Sequence, residues 1–461
     1  MQKITLFFLF STWALLGNAQ MLGPELFIQQ VKQNHPIAKQ ANIQVEKAKA
    51  ELLSARGAFD PTATLDASRK TFDGKNYYFY TNPEIKLPTR LGGLDIKTGL
   101  EENGGQFLNT QVTEGQSSYL GVELPVAKGL LIDKRRATLQ QAKIFRSQSE
   151  QEKLKIINDL LFDAYVGYWQ WAGAWQLYNI YSKFLNISND RFRLVKISFQ
   201  NGDRSAIDTI EALTQVQNFQ MLQADAAVKL NTTSLELANF FWDERDSAYE
   251  LSPRVVPDTV SFNLTAPAKS LENLITLSST TNPSLRSYAY KIDALEVERK
   301  LKFQNVLPVV NLKANVLNRG YNVMKDFGGT LFQNNYYWGV DVKIPLLLRE
   351  GRGDYQKAKL KLQETNYELA AKRWEVENKI KTYYTETNLL QKQISVTQNA
   401  FNGFNALLRA ESLRFQNGES SLFLINTREN KVIETAEKLI ALRIKYLKAN
   451  YATEWAAGVL R

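Results

Sequence analysis

Carboxylates are the only side chains in this sequence that approach a reactive arrangement. Glu101 and Glu102 are adjacent, and Asp208 and Glu211 stand three residues apart, a spacing that puts both on one face of a helix. Neither pair has a neighbouring base, metal-ligand set or phosphate-binding loop, so neither reads as general acid–base machinery. At a helix start, Asp208 and Glu211 equally serve as solvating charges that favour the helix dipole. Cysteine is absent, which removes thiolate metal sites, a nucleophilic thiol, disulfides and a lipid-modified N-terminal cysteine. His35 is the single histidine and precedes Pro36 at an expected helix start, where capping accounts for it better than catalysis. Walker, dinucleotide-binding and zinc patterns are missing, and Gly92-Gly93 and Gly104-Gly105 read as loop glycines. No enzyme activity, cofactor or metal is expected. The net charge of +10 is spread without a dense basic run. It reads as a surface suited to acidic partners or anionic lipid heads, with no nucleic-acid footprint.

The elements that must position these residues are duplicated. Phe-Gln-Asn-Gly occurs at Phe199–Gly202 and again at Phe415–Gly418, an offset of 216 that also aligns Ala142-Lys143 with Ala358-Lys359, Ser205 with Ser421 and Val216 with Val432. Upstream, Pro36 with Pro283 and Pro61 with Pro308 are offset by 247, so the first copy carries about 31 extra residues (247 − 216) before Ala142. An internal two-fold repeat follows. It gives a first repeat over residues 20–242 with a β-hairpin at about 61–126, a linker over 243–270 containing Pro253, Pro257 and Pro267, and a second repeat over 271–461 with a β-hairpin at about 308–346. Residues 1–19 contain Lys3, an apolar run from Ile4 to Leu16, and small residues Gly17 and Ala19, the pattern of a secretory signal cleaved after Ala19.

Most of the chain reads as very long helix, with expected helices at about 24–57, 131–200, 268–305 and 419–457. Neither Gly nor Pro interrupts the 50 residues between Gly202 and Pro253 or the 49 between Gly353 and Gly403. Leu362, Leu369, Val376, Tyr383 and Leu390 recur every seven residues, which predicts a left-handed coiled-coil seam. Between helices the period changes to two. Val310, Leu312, Ala314 and Val316 alternate with Asn311, Lys313 and Asn315; Trp338, Val340, Val342 and Ile344 alternate with Tyr337, Gly339, Asp341 and Lys343. Ala63, Leu65 and Ala67, and then Leu120, Val122 and Leu124, do the same in the first repeat. With flanking Phe72, Tyr77, Tyr78, Tyr336 and Tyr337, the runs fit strands whose apolar side meets lipid and whose polar side meets water; a soluble antiparallel sheet has the same alternation. Four strands per chain over three copies would make a twelve-stranded barrel. Residues 73–116 read as a long extracellular loop, in which Leu94, Ile96 and Leu100 leave room for a further strand.

In these features the sequence resembles the TolC-like outer membrane efflux proteins over nearly its whole length. The most specific signs are the two turn texts, Phe-Gln-Asn-Gly-Asp-Arg-Ser-Ala-Ile-Asp from Phe199 and Arg-Phe-Gln-Asn-Gly-Glu-Ser-Ser-Leu-Phe from Arg414. The resemblance implies a mainly α fold with membrane β: a homotrimeric α-helical coiled-coil barrel in the periplasm beneath a β-barrel in the outer membrane. It implies a passive export duct for small molecules or secreted substrates, working with a periplasmic adaptor (membrane fusion protein) and an inner-membrane transporter. The turns near Gly202 and Gly418 would form the periplasmic tip, with Phe199, Gly202, Arg414, Phe415 and Gly418 in the adaptor-docking region.

For the gate, the family's pattern places carboxylates six and nine residues beyond the second tip glycine. Those positions here are Leu424 and Thr427, whereas Asp208 and Glu211 occupy the equivalent places in the first repeat. Two readings stay open: an acidic ring from Asp208 and Glu211, or an apolar constriction from Phe423 and Leu424 that closes by dewetting. A rival from another class is a periplasmic coiled-coil adaptor or structural protein without a pore; two-faced strands between the helices of both repeats speak against it.

Overall fold

The computed structural model of the chain describes residues 20–107, 113–263, 270–321 and 334–460. The segment read as a secretory signal lies outside them. In chain order the elements are β1 (Gln20–Leu22), α1 (Pro24–Asn34), α2 (Pro36–Gly57), β2 (Thr62–Phe72), β3 (Lys75–Pro88), β4 (Asp95–Gly104), β5 (Gly115–Pro125), α3 (Lys134–Gln200), α4 (Ala206–Ala238), β6 (Val255–Pro257), α5 (Thr259–Asn263), α6 (Leu271–Thr281), α7 (Pro283–Gln304), β7 (Val309–Arg319), β8 (Tyr336–Lys343), α8 (Arg349–Gln416) and α9 (Leu422–Ala457). At ~1.5 Å per residue, the 67 residues of α3 and 68 of α8 extend ~100 Å each. The predicted seven-residue seam on α8 is real: Leu362, Val376 and Leu390 are buried, and Leu369 and Tyr383 are half-buried. No helix among the described residues is long and apolar enough to cross a membrane.

The chain forms two compact units, one from Met1–Lys39, Ile156–Thr276 and Glu377–Arg461, the other from Gln40–Lys155 and Leu277–Val376. The first unit is helical. Its core joins Phe27 and Val31 of α1, Leu161, Ala164, Tyr168, Trp169 and Trp171 of α3, Leu237 of α4, Phe262 of α5 and Leu447 of α9. The aromatic run on α3 is therefore packing: Phe27 stacks on Tyr168 and Tyr165 on Tyr451. The outermost described segments are both tied to α3. The Tyr168 hydroxyl donates to the Leu22 carbonyl at 2.7 Å, while β1 pairs in parallel with β6. Near residue 460, the Leu460 N–H donates to Asn158 Oδ1 at 3.0 Å, and Asn158 Nδ2 donates to the Trp455 carbonyl at 2.9 Å.

His35 sits in this unit between α1 and α2. The Ile37 N–H donates to its Nδ1 at 3.2 Å, and Phe240 and Trp242 lie against the ring. Burial lowers its pKa from the ordinary 6.5, partly offset by its bond to the Asn239 backbone. The fold thus disfavours the charged form, and the unfolded chain binds more protons below about pH 6.5. Stability should fall as pH drops through 6.5 towards the lower folded-state value. Thermal melting between pH 7.5 and 5.5 should show that slope, and His35→Gln should flatten it.

The second unit contains a sheet of six strands, ordered β2-β3-β4-β5-β7-β8 and antiparallel throughout. The reading of four strands per chain, and with it twelve for three copies, is corrected here: most of residues 73–116, expected as a loop, forms β3 and β4. Asp73 and Gly74, at φ 52° and 71°, make the two-residue turn that matches strand twist. At the opposite end, the Thr89 N–H and Oγ1 both donate to the Leu94 carbonyl, at 2.9 and 2.7 Å, and Gly92 and Gly93 take positive φ. This return is fastened to the helices, since Arg135 of α3 donates to Asp95 at 2.8 Å and both Arg90 and Arg135 lie over the Phe59 ring. The register pairs Leu65 with Pro83, Ile96 with Val122, Val122 with Ala314, and Leu312 with Val340, giving one apolar face across the sheet. Glu84 with Gly99, Lys97 with Gly121, Glu123 with Lys313 and Asn311 with Asp341 occupy the other. β2 and β8 are its edges.

Candidate functional site

The two turns singled out in the sequence lie in the first unit and are wired alike. In one, Gly202 N–H donates to the Phe199 carbonyl at 3.0 Å and Asp203 N–H to the Ser198 carbonyl at 2.9 Å; in the other, Gly418 N–H donates to Phe415 at 3.1 Å and Glu419 N–H to Arg414 at 2.8 Å. These are the 5→2 and 6→1 bonds that end a helix through a left-handed residue. Gly202 and Gly418 supply it, with φ of 86° and 78°. A Cβ at either would meet nothing within 4 Å, so the requirement is conformational, not steric crowding by neighbours. Gly202→Ala or Gly418→Ala should therefore each destabilise by about 1 kcal/mol, and Asn at the same position by less. Urea titration followed by far-ultraviolet dichroism would measure both.

Each turn is followed by a capped helix. Ser205 caps α4, and the Asp208 carboxylate completes a capping box by accepting the Ser205 N–H at 3.2 Å. Ser421 caps α9 by accepting the Leu424 N–H at 3.4 Å. The hairpins meet close to the turns: the Arg204 guanidinium lies 4.4 Å over the Phe415 ring, and Phe415 packs on Val195, Ala212 and Leu422. Phe199 is exposed, and Arg414 folds back to donate to the Glu419 carbonyl at 3.3 Å. Of the gate candidates, Glu211 accepts from Asn426 Nδ2 at 3.0 Å, tying α4 to α9. Phe423 is 67 % exposed, Leu424 is also exposed, and the Thr427 hydroxyl bonds back to the Phe423 carbonyl at 2.7 Å.

The structure adds residues that the sequence reading passed over. Asn426, already bound to Glu211, accepts from Arg191 Nη1 at 3.3 Å, and Arg191 also donates to Glu429 Oε2 at 2.8 Å. Glu429 is only 2 % exposed. One rung further, Tyr181 donates to Glu437 at 2.5 Å, and burial followed by that bond raises the tyrosine pKa. Glu211, Asn426, Arg191 and Glu429 thus form one polar chain linking α3, α4 and α9. A signal for it existed: Leu422, Ile425, Glu429, Val432, Ala436 and Leu439 follow helical spacing, and Glu429 is a charge standing in an apolar stripe.

Residues 274–452 match the sequence profile of a known family, described as outer membrane efflux protein. That stretch, in the second half of the chain, resembles an outer membrane efflux protein domain. Among solved structures, the CmeC outer membrane channel of Campylobacter jejuni superposes with a TM-score of 0.65 at 14% identity, covering 95% of this chain and 85% of that one. The VceC outer membrane protein of Vibrio cholerae gives 0.63 at 15% identity, covering 94% and 96%. The open state of the MtrE outer membrane channel of Neisseria gonorrhoeae gives 0.64 at 11% identity, covering 94% and 88%. At such identities the likeness is one of fold, and it takes in the regions on both sides of the matched domain. No curated protein matches the chain by sequence.

Proposed function

We propose that this protein is an outer-membrane channel serving as the exit duct of a tripartite export system. Three copies would form it, each delivered by a signal cleaved after Ala19 and each duplicated over residues 20–242 and 271–461. The observation that carries the reading is that long helices and a two-faced sheet both leave apolar surface uncovered. On α4, Ile207, Met221, Val228 and Leu235 are exposed, spaced by seven or fourteen; on α8, Leu360 and Tyr367 are exposed seven residues apart. A coiled-coil seam of this kind stabilises only against a further helix. The exposed apolar face of the sheet, with Leu65, Ile85, Val122, Leu312 and Val340, suits lipid. A pore-less adaptor leaves that sheet without a purpose.

In this reading the turns at Gly202 and Gly418 lie at the periplasmic tip, where Phe199, Arg414 and Phe415 meet an adaptor and an inner-membrane transporter supplies the energy. The contacts around them favour the apolar form of the gate. Asp208 is engaged in its cap and Glu211 with Asn426, whereas Phe423 and Leu424 are exposed. The experiment is planar-bilayer conductance of the purified trimer. Small current that rises when the tip contacts are broken supports the duct; a monomer in detergent that never conducts refutes it. Asp208→Asn with Glu211→Gln should leave cation selectivity nearly unchanged, and a clear loss would restore the acidic ring.

A further inference from the structure

The number of strands decides how wide the membrane end of such a duct can be. β2 and β8, the edges of the sheet, are exposed along almost their whole length. They run in opposite directions, because six antiparallel strands separate the first from the last by an odd number of reversals. Head-to-tail repetition of this sheet therefore keeps every pairing antiparallel. One copy holds too few strands to close alone, the smallest membrane barrels having about eight.

We infer that β8 of each copy pairs with β2 of the next and that three copies close a barrel of eighteen strands (six from each); this rests on the reading of the chain as a trimeric channel. The β3–β4 hairpin belongs to the wall. It is paired on both sides, Ile85 and Leu87 of β3 and Ile96 and Leu100 of β4 continue the apolar face, and its return is held to α3 through Asp95 and Arg135. Barrel diameter grows roughly in proportion to strand number, so eighteen strands give about 1.5 times the diameter of twelve, within the range of porins that hold an aqueous channel. The occupant of each edge is a second copy, and the faces fix the parity of its register. β8 ends and β2 begins at the helical end of the sheet; with those ends level, Asp341 meets Thr64 on the polar face and Val340 meets Leu65 on the apolar one.

The chain has no cysteine, which gives a clean background for cross-linking. Asp341→Cys combined with Thr64→Cys should give a covalent trimer on a non-reducing gel under mild oxidation in membranes, and neither single variant should. Moving the partner to Thr62→Cys or Asp66→Cys should lower the yield. Failure of all three pairs in a protein that still inserts and conducts overturns the edge pairing, as does a product that stops at dimer. Strand count needs its own readout. Fluorophores on single variants Ile96→Cys and Leu100→Cys should be quenched by brominated phospholipid to the extent seen for Leu124→Cys and Leu312→Cys. If quenching occurs only at the latter pair, β3 and β4 hang off the wall and the count of eighteen is wrong, although the channel reading stands. A monomer that conducts nothing would instead sink that reading itself.

Discussion

Glu429→Ala should loosen the junction of α3 and α9 beside the two glycine turns. Removing this carboxylate leaves the Arg191 guanidinium, 12% exposed, without its main counter-charge, and Asn426 alone cannot replace it. Breaking a buried ion pair from one side costs about 3–5 kcal/mol, because the remaining charge has lost its water as well as its partner. Expressed as local opening, that is about a hundredfold or more at roughly 1.4 kcal/mol per factor of ten. Amide exchange along the first turns of α9 should accelerate by that factor, while exchange around Trp169 and Trp171 stays close to wild type. In bilayers the variant should show larger and steadier currents. Arg191→Leu combined with Glu429→Leu should recover most of the protection, since Glu429 stands in an otherwise apolar stripe and the double change leaves no buried charge unpaired. Unchanged exchange in Glu429→Ala would mean that the helices are held by packing alone.

Val340→Arg should abolish accumulation of the protein in the outer membrane. Val340 lies near the middle of β8 on the apolar face, opposite Leu312, and a cationic side chain facing hydrocarbon there costs about 2–4 kcal/mol. Three copies would bear it together. Asp341→Arg places the same charge on the neighbouring residue but on the polar face, and the cost should be within about 1 kcal/mol. Fractionated membranes and resistance of the oligomer to detergent without heating would compare the two. Equal behaviour would mean that the sheet does not present its apolar face to lipid.

What could be read in advance followed from how local each signal is. Long helices announce themselves by the lack of Gly and Pro and by the seam from Leu362 to Leu390. The two glycine turns are equally local, because only a left-handed residue ends a helix in that way and Gly202 and Gly418 are the residues that adopt it without strain. β3 and β4 were harder to see. Pro83 lies inside β3, where proline removes a ladder donor and argues against a strand, and the acidic pair Glu101-Glu102 interrupts the alternation of β4. Pairing on both sides overrode these local preferences. The pair Arg191–Glu429 joins residues 238 apart in sequence, and no spacing rule connects them; only the misplaced charge in the α9 stripe pointed to one partner.

The ties of both outermost segments to α3 bear on how this protein is dismantled. Leu22 is held by Tyr168 and Leu460 by Asn158, anchor points ten residues, or ~15 Å, apart on a single helix. Force applied at either of these outer described segments meets a strand or tail bonded into the core around Trp169 and Trp171. Release of α1 or of the end of α9 should therefore loosen the same stretch of α3.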